Sequence, residues 1–207
     1  MGLEKLDSNV ELALDKVSAS DLSALKRMGN RKQEDNPIRV HKGADDALIV
    51  AVGTFAADEE PVGPRFGLSA ELIGTIKKAA SEGSFYLILD KNGPSTPTSK
   101  PHVDLSTGHL RRSDFHLLED IAAHVVPAPL QVYDHGYGWI IGVKNAGTVD
   151  ELKAVGLSDE ITALVDAARE SGADYIDFDA DADLDPGFPE YDVNTDEKVE
   201  AVSAPSM

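Results

Sequence analysis

The chain has 207 residues, no cysteine, 42% apolar residues and a formal net charge of −18. This length can bury a core, and the apolar fraction excludes global disorder. The missing cysteines exclude disulfides, cysteine-based zinc sites, Fe–S clusters and thiol nucleophiles. So negative a surface disfavours direct binding of nucleic-acid phosphates.

The N-terminus, MGLEKLDSNVEL, lacks the charged-then-apolar order of a signal peptide, and Leu6 breaks the myristoylation pattern. No apolar run reaches the roughly 20 residues that span a bilayer. A cytoplasmic protein is expected, or one carried in a virion if its role is structural. Ser20–Leu25 (SDLSAL) opens a helix with Ser20 as cap and Asp21 at its first position. The segment Lys26–Lys42 carries six Lys/Arg against Glu34 and Asp35. Ile38–Lys42 and Leu48–Thr54 form a hairpin through GADD. A helix then starts at the Ser69 cap, with Glu71 in its first turn and Leu72, Ile76 and Ala79 as an apolar stripe. Gly83 ends it in the left-handed region. Phe85–Leu89 is a continuously apolar strand, suited to burial on both faces.

Residues 92–101, NGPSTPTSKP, read as a linker, and His102–Ser106 as a strand. Ser113–Leu118 (SDFHLL) opens the next helix like Ser20–Leu25. Leu130–Tyr133 and Tyr137–Val143 make a hairpin through DHGYG. The last helix starts at Ser158, with Ile161, Val165 and Ala168 as its stripe and Gly172 as its stop. Tyr175–Phe178 is a strand that Asp177 interrupts, which points to a wet face or a place near an edge. Residues 193–207 read as a polar tail.

The chain repeats itself. GLSAELIGTIKKAASEGSFYLILD (67–90) returns 89 residues later as GLSDEITALVDAARESGADYIDFD (156–179), and an ungapped match extends back to Asp46. Ten positions are identical across it, Gly53/Gly142, Ser69/Ser158, Gly83/Gly172 and Tyr86/Tyr175 among them. The expected fold class is α/β (α+β): a tandem duplication of an α-β-β-α-β module, with mixed sheets and helices packed on one face. The first module spans residues 1–91 and includes the N-terminal helix; the second spans 102–192.

The second module carries VDLSTGHL (103–110), YGWIIGV (137–143), the helix-to-acidic-strand segment and PEYD (189–192). In that order they resemble a small domain of unknown function in proteins borne by plasmids, phages and integrated elements. That domain shows a STAH segment, a YGW strand and an acidic stretch before P-x-[FY]-D. Gly108 stands where Ala is usual. The resemblance implies an accessory-gene setting, often beside anti-restriction genes, and no established activity.

Asp174, Asp177, Asp179, Asp181, Asp183 and Asp185 follow one another closely. In extended chain alternate residues share a face about 6.6 Å apart, a phosphate-like row. The run fails as a calcium loop: counted from Asp181, Pro186 takes the glycine position and Asp192 the bidentate Glu position. The histidines, His41, His102, His109, His116, His124 and His135, include no helical i, i+4 pair. Ser106, Thr107 and His109 are a possible secondary site, as nucleophile and base, but read better as caps and packing. Tyr137 and Trp139 join that site as aromatics; a base-stacking platform would want Lys and Arg beside them. No GxSxG, Walker, GxGxxG or HExxH pattern occurs. No catalytic residue, metal or cofactor is assigned.

Between Asp150 and Glu200 seventeen acids face Lys153, Arg169 and Lys198, a local net charge of −14. The expected function is therefore non-enzymatic: an acidic accessory protein of a mobile element, inhibiting a host defence protein by occupying its nucleic-acid groove. The partner would be a basic, nucleic-acid-binding protein, met through the aspartate row. A structural or assembly protein, self-associating head to tail, is the alternative. A metal-dependent enzyme built on the acidic loop is a weaker one.

Overall fold

The computed structural model describes residues 7–29, 38–43, 46–52, 67–192, 195 and 197–199. Its first half runs β1 (Asp7–Ala13), α1 (Ala19–Met28), β2 (Val40–Lys42), β3 (Leu48–Ala51), α2 (Ala70–Ser81) and β4 (Tyr86–Asp90). The second half runs β5 (Thr98–Ser106), α3 (Arg112–Ala122), β6 (Gln131–Asp134), β7 (Gly138–Gly142), α4 (Val149–Val155), α5 (Asp159–Glu170) and β8 (Tyr175–Asp179). The serine caps of α2 and α5 act as the sequence predicts. Ser69 Oγ accepts from Leu72 N at 3.2 Å, and Ser158 Oγ from Ile161 N at 3.3 Å. Gly83 and Gly172 take φ of +82° and +86° just past their helices.

All eight described strands join one mixed sheet in the order β2-β3-β4-β1-β5-β8-β7-β6. Exchanging β1–β4 for β5–β8 leaves this order unchanged. In each half the first and last strands pair in parallel and the hairpin is antiparallel. The halves meet where β1 pairs antiparallel with β5. Val10 faces Leu87 and Val103 faces Ile176, so Val10 and Val103 are equivalent. Ser8 and Pro101, equivalent by the same offset, lie opposite each other at the middle of the junction. The register is thus two-fold symmetric about that pair.

Side chains alternate across the sheet. One face buries Val10, Leu12, Leu87 and Leu89 beneath α1 and α2, and Val103, Leu105, Ile176 and Phe178 beneath the helices of the second half. The opposite face holds a third apolar group, Ala47, Ile49 and Ile88 with Tyr133, Ile140 and Tyr175. These residues come from strands at both edges, so the sheet curls toward a barrel with its helices outside. A Cβ on Gly43, beside β2, would meet the ring of Tyr133 on β6. The two edge strands approach without hydrogen bonding each other.

Several expectations need correction. Residues 98–101 are not linker: they form the start of β5, and Ser8, Asn9 and Val10 face Pro101, Lys100 and Ser99. The halves therefore share one sheet. The caps of the first helix in each half are Ser18 and Arg111, not Ser20 and Ser113, which places Asp21 and Asp114 two residues deeper. β8 lies between β5 and β7, not near an edge, and its Asp177 faces the concave interior. The ungapped offset of 89 fails in the hairpin. Leu48 pairs with Leu89 but Trp139 with Phe178, which sets β7 two residues further along. Gly53 and most of the 193–207 tail lie outside the described residues.

Candidate functional site on the concave face

Apolar side chains on the outer face force their neighbours inward, and in five strands, and just after a sixth, some of those neighbours are polar. Asn9 and Glu11 come from β1, His41 from β2, Tyr86 and Asp90 from β4. His102 and Asp104 come from β5, His135 follows β6, and Asp177 and Asp179 come from β8. Curling the sheet gathers residues far apart in sequence.

At the centre stand His102, Asp104 and Asp177. Asp104 and Asp177 face each other across parallel strands, and His102 lies two residues before Asp104 on the same face. His102 is fully buried and Asp177 is 3% exposed. His102 Nε2 stands 2.8 Å from Asp104 Oδ1, an ion-pair distance without hydrogen-bond alignment; neither ring nitrogen has a hydrogen-bonded partner. Asp177 Oδ1 likewise accepts no hydrogen bond. One ligand atom from each residue falls within a 4.8 Å group, the donors among the described residues best placed for a metal.

Beside them lies fully buried His135. Its Nε2 is 3.2 Å from the Phe178 carbonyl and 3.2 Å from Asp177 Oδ1, and its Nδ1 is 3.1 Å from the Tyr86 hydroxyl. A carbonyl only accepts, so neutral His135 carries its proton on Nε2, and Tyr86 donates to Nδ1. Burial pulls the His135 pKa down, but the adjacent Asp177 carboxylate outweighs it, and the net shift is upward. Burial raises Asp177 despite His135. The pair thus holds a proton to higher pH than its members do in water. Burial lowers His41, helped by His135. Burial, then nearby carboxylates, keeps the Tyr86 phenol protonated far above neutrality.

This cluster opens into a groove of about 430 Å³ lined by Arg39, His41, Phe85, Tyr86, His135, Tyr137, Asp179 and Asp181 among others. Arg39 donates to the Tyr137 hydroxyl at 2.6 Å and lies over the ring of that tyrosine. The other end of the interior is closed by charge. Lys100 bridges Glu11 at 3.4 Å and Asp174 at 3.3 Å, and Tyr133 donates to Asp90 Oδ2 at 2.9 Å.

The six aspartates do not form one row. Asp174 lies at the closed end, Asp177 is buried in the interior, and Asp179 borders the groove. Only Asp181, Asp183 and Asp185 belong to the loop after β8, because alternation within the strand turns Asp177 and Asp179 together into the interior. Ser106, Thr107 and His109 form no catalytic pair. Ser106 caps a 3-10 turn by accepting from Gly108 N at 3.2 Å. Buried His109 accepts the Asp185 N–H on Nε2 at 3.0 Å and donates from Nδ1 to the Pro189 carbonyl at 2.9 Å. Both nitrogens are used, and the acidic loop is what they hold. Tyr191, also buried, donates its N–H to the Gly108 carbonyl at 2.9 Å and lies beneath the Arg111 guanidinium. A Cβ on Gly108 would come within 2.9 Å of the Leu184 Cδ2, so Ala fits there if Leu184 turns aside. Trp139 is buried on the outer face against Phe115, whereas Tyr137 is exposed at the groove. The two point apart.

Helices on the outer face and a polar concave face define this as a mixed α/β protein built on one curled sheet. Residues 102–193 are similar to the C-terminal domain of a family of unknown function, DUF5983. The match covers the half bearing His102, His109, Asp177 and the acidic loop. No curated protein matches, and no solved structure does. Among the described residues no helix is long and apolar enough to cross a membrane.

Proposed function

We propose that this chain is a non-enzymatic binding protein, cytoplasmic and encoded on a mobile element, that engages a basic partner through the loop after β8. The observation that carries this is the clamping of an acidic loop by His109. No Lys or Arg occurs between Arg169 and Lys198, and Asp181, Asp183 and Glu190 are exposed. The loop that carries them is held at Asp185 and Pro189 by His109 and at Tyr191 by the Gly108 carbonyl. Asp179 and Asp185 carboxylates fold back onto Asp181 N and Gly187 N, which fixes the turns. A surface already ordered loses less entropy on binding, and its charge speeds encounter with a cationic groove. A nucleic-acid-binding protein of a host defence system has such a groove.

The test is capture from host lysate on the tagged full chain, at low and high salt and with duplex DNA as competitor. The proposal expects a basic nucleic-acid-binding protein that salt and DNA release and that the triple variant D181N/D183N/E190Q fails to hold. Capture insensitive to salt or to the triple variant would overturn it. Recovery of the bait alone, as multimers, would favour the assembly role instead.

A further inference from the structure

We propose that His102, Asp104 and Asp177 bind one divalent transition-metal ion on the concave face. The observation is a donor set without its acceptor. His102 is fully buried with both ring nitrogens lacking hydrogen-bonded partners, and the buried Asp177 Oδ1 accepts no hydrogen bond. A buried polar group left so destabilises the fold unless something satisfies it. Two such groups pointing into one space, with a second carboxylate beside them, are what a cation would satisfy.

The geometry is near what a metal needs. Ligands about 2.1 Å from a tetrahedral ion lie about 3.4 Å apart, and the three donors fall within 4.8 Å. Small side-chain rotations close the set. One imidazole with two carboxylates suits zinc, manganese or iron(II) better than calcium or magnesium, which prefer all-oxygen sites. Asp104 is 37% exposed at its side chain, which gives the ion a way in and leaves coordination positions for water. His135 stands behind Asp177 at 3.2 Å and can orient it, with Tyr86 holding the far side of the ring.

The fold does not require these residues. The positions equivalent to His102, Asp104 and Asp177 in the first half are Asn9, Glu11 and Ile88. At those three positions the first half has no histidine and only one carboxylate, Glu11, yet the strands still form, so the set of three donors is a property of the second half alone.

The experiment is zinc titration by calorimetry on the untagged full chain after chelation and dialysis, with manganese and magnesium as comparison ions. Cobalt(II) absorption supplies an independent view of the ligand field. Expected are one zinc per chain, a rise in Tm, and weakening by at least roughly tenfold in D104N, the lower end of what disturbing even a ligand's supports costs. Asp104 is exposed enough for that variant to fold; H102Q provides a second. The triple variant D181N/D183N/E190Q is expected to bind zinc unchanged, which separates this site from the acidic loop. No zinc bound, or equal affinity and an equal cobalt spectrum in wild type, D104N and H102Q, would overturn the proposal.

Discussion

Asp21 and Asp114 occupy equivalent places in the two halves and receive equivalent hydrogen bonds. Asp21 Oδ1 accepts from Ser69 N at 2.6 Å and Oδ2 from Ser69 Oγ at 2.7 Å. Asp114 accepts the same pair from Ser158, at 2.8 and 2.6 Å. Each buried carboxylate on the first helix of a half thus fixes the serine that caps the helix before the last strand. Replacing either by Ala leaves two part-buried donors without their acceptor and removes a buried carboxylate from its place. Each of Asp21→Ala and Asp114→Ala is expected to cost about 3 kcal/mol in urea unfolding. A loss under about 1 kcal/mol in both would show the link to be incidental.

His135 should impose a pH dependence. Its folded pKa is raised, so its contribution is complete below the ordinary imidazole value of about 6.5 and is lost as pH climbs through the folded value. His41 is shifted the other way, and its contribution is lost as pH falls through its lower folded value. Above pH about 6.5 the His135 limb therefore acts without His41. Urea unfolding between pH about 6 and 8 should show wild type losing stability that His135→Gln does not lose. Parallel curves would contradict the assigned coupling to Asp177.

His109 should control the acidic loop. His109→Ala removes two hydrogen bonds and a buried ring, at a cost of about 2–4 kcal/mol. Amide exchange should rise most across residues 184–191, a segment the ring now holds at the Asp185 N–H and the Pro189 carbonyl. Exchange spread evenly over the chain would mean that the histidine serves only the core.

Gly138 should tolerate no side chain. An alanine Cβ there would collide with the Phe178 carbonyl, the group that also receives His135 Nε2. Gly138→Ala is expected to cost about 3 kcal/mol by forcing β7 from β8. It should also abolish the pH difference between wild type and His135→Gln. Unchanged stability would place β7 elsewhere.

Helices and hairpins were legible in the sequence because their signals are local: a serine cap, an apolar stripe, a glycine stop. β1 was not. In DSNVELA the inward residues Asn9 and Glu11 are polar, so no apolar run marks the strand. The first turns of β5 look like linker because Pro, Ser and Thr fill them, yet Pro101 needs no N–H there and its carbonyl accepts from Asp174 N at 2.8 Å. The concave cluster was illegible for a different reason. His102, His135 and Asp177 lie on separate elements, and only the strand order β5-β8-β7-β6, which sequence reading does not give, brings them together. The alternation of His102 with Asp104 within one strand was the available signal.

The symmetric register about Ser8 and Pro101 joins the halves as two subunits would be joined. A two-fold related strand pair is the isologous contact of a homodimer, here contained in a single polypeptide. Two identical subunits must change together, whereas covalently joined ones can change separately. Joined in one chain, the halves carry different residues at equivalent places, Asn9 and Ile88 in one and His102 and Asp177 in the other. It also hides, within every molecule, an edge that a severed half would offer to its own kind.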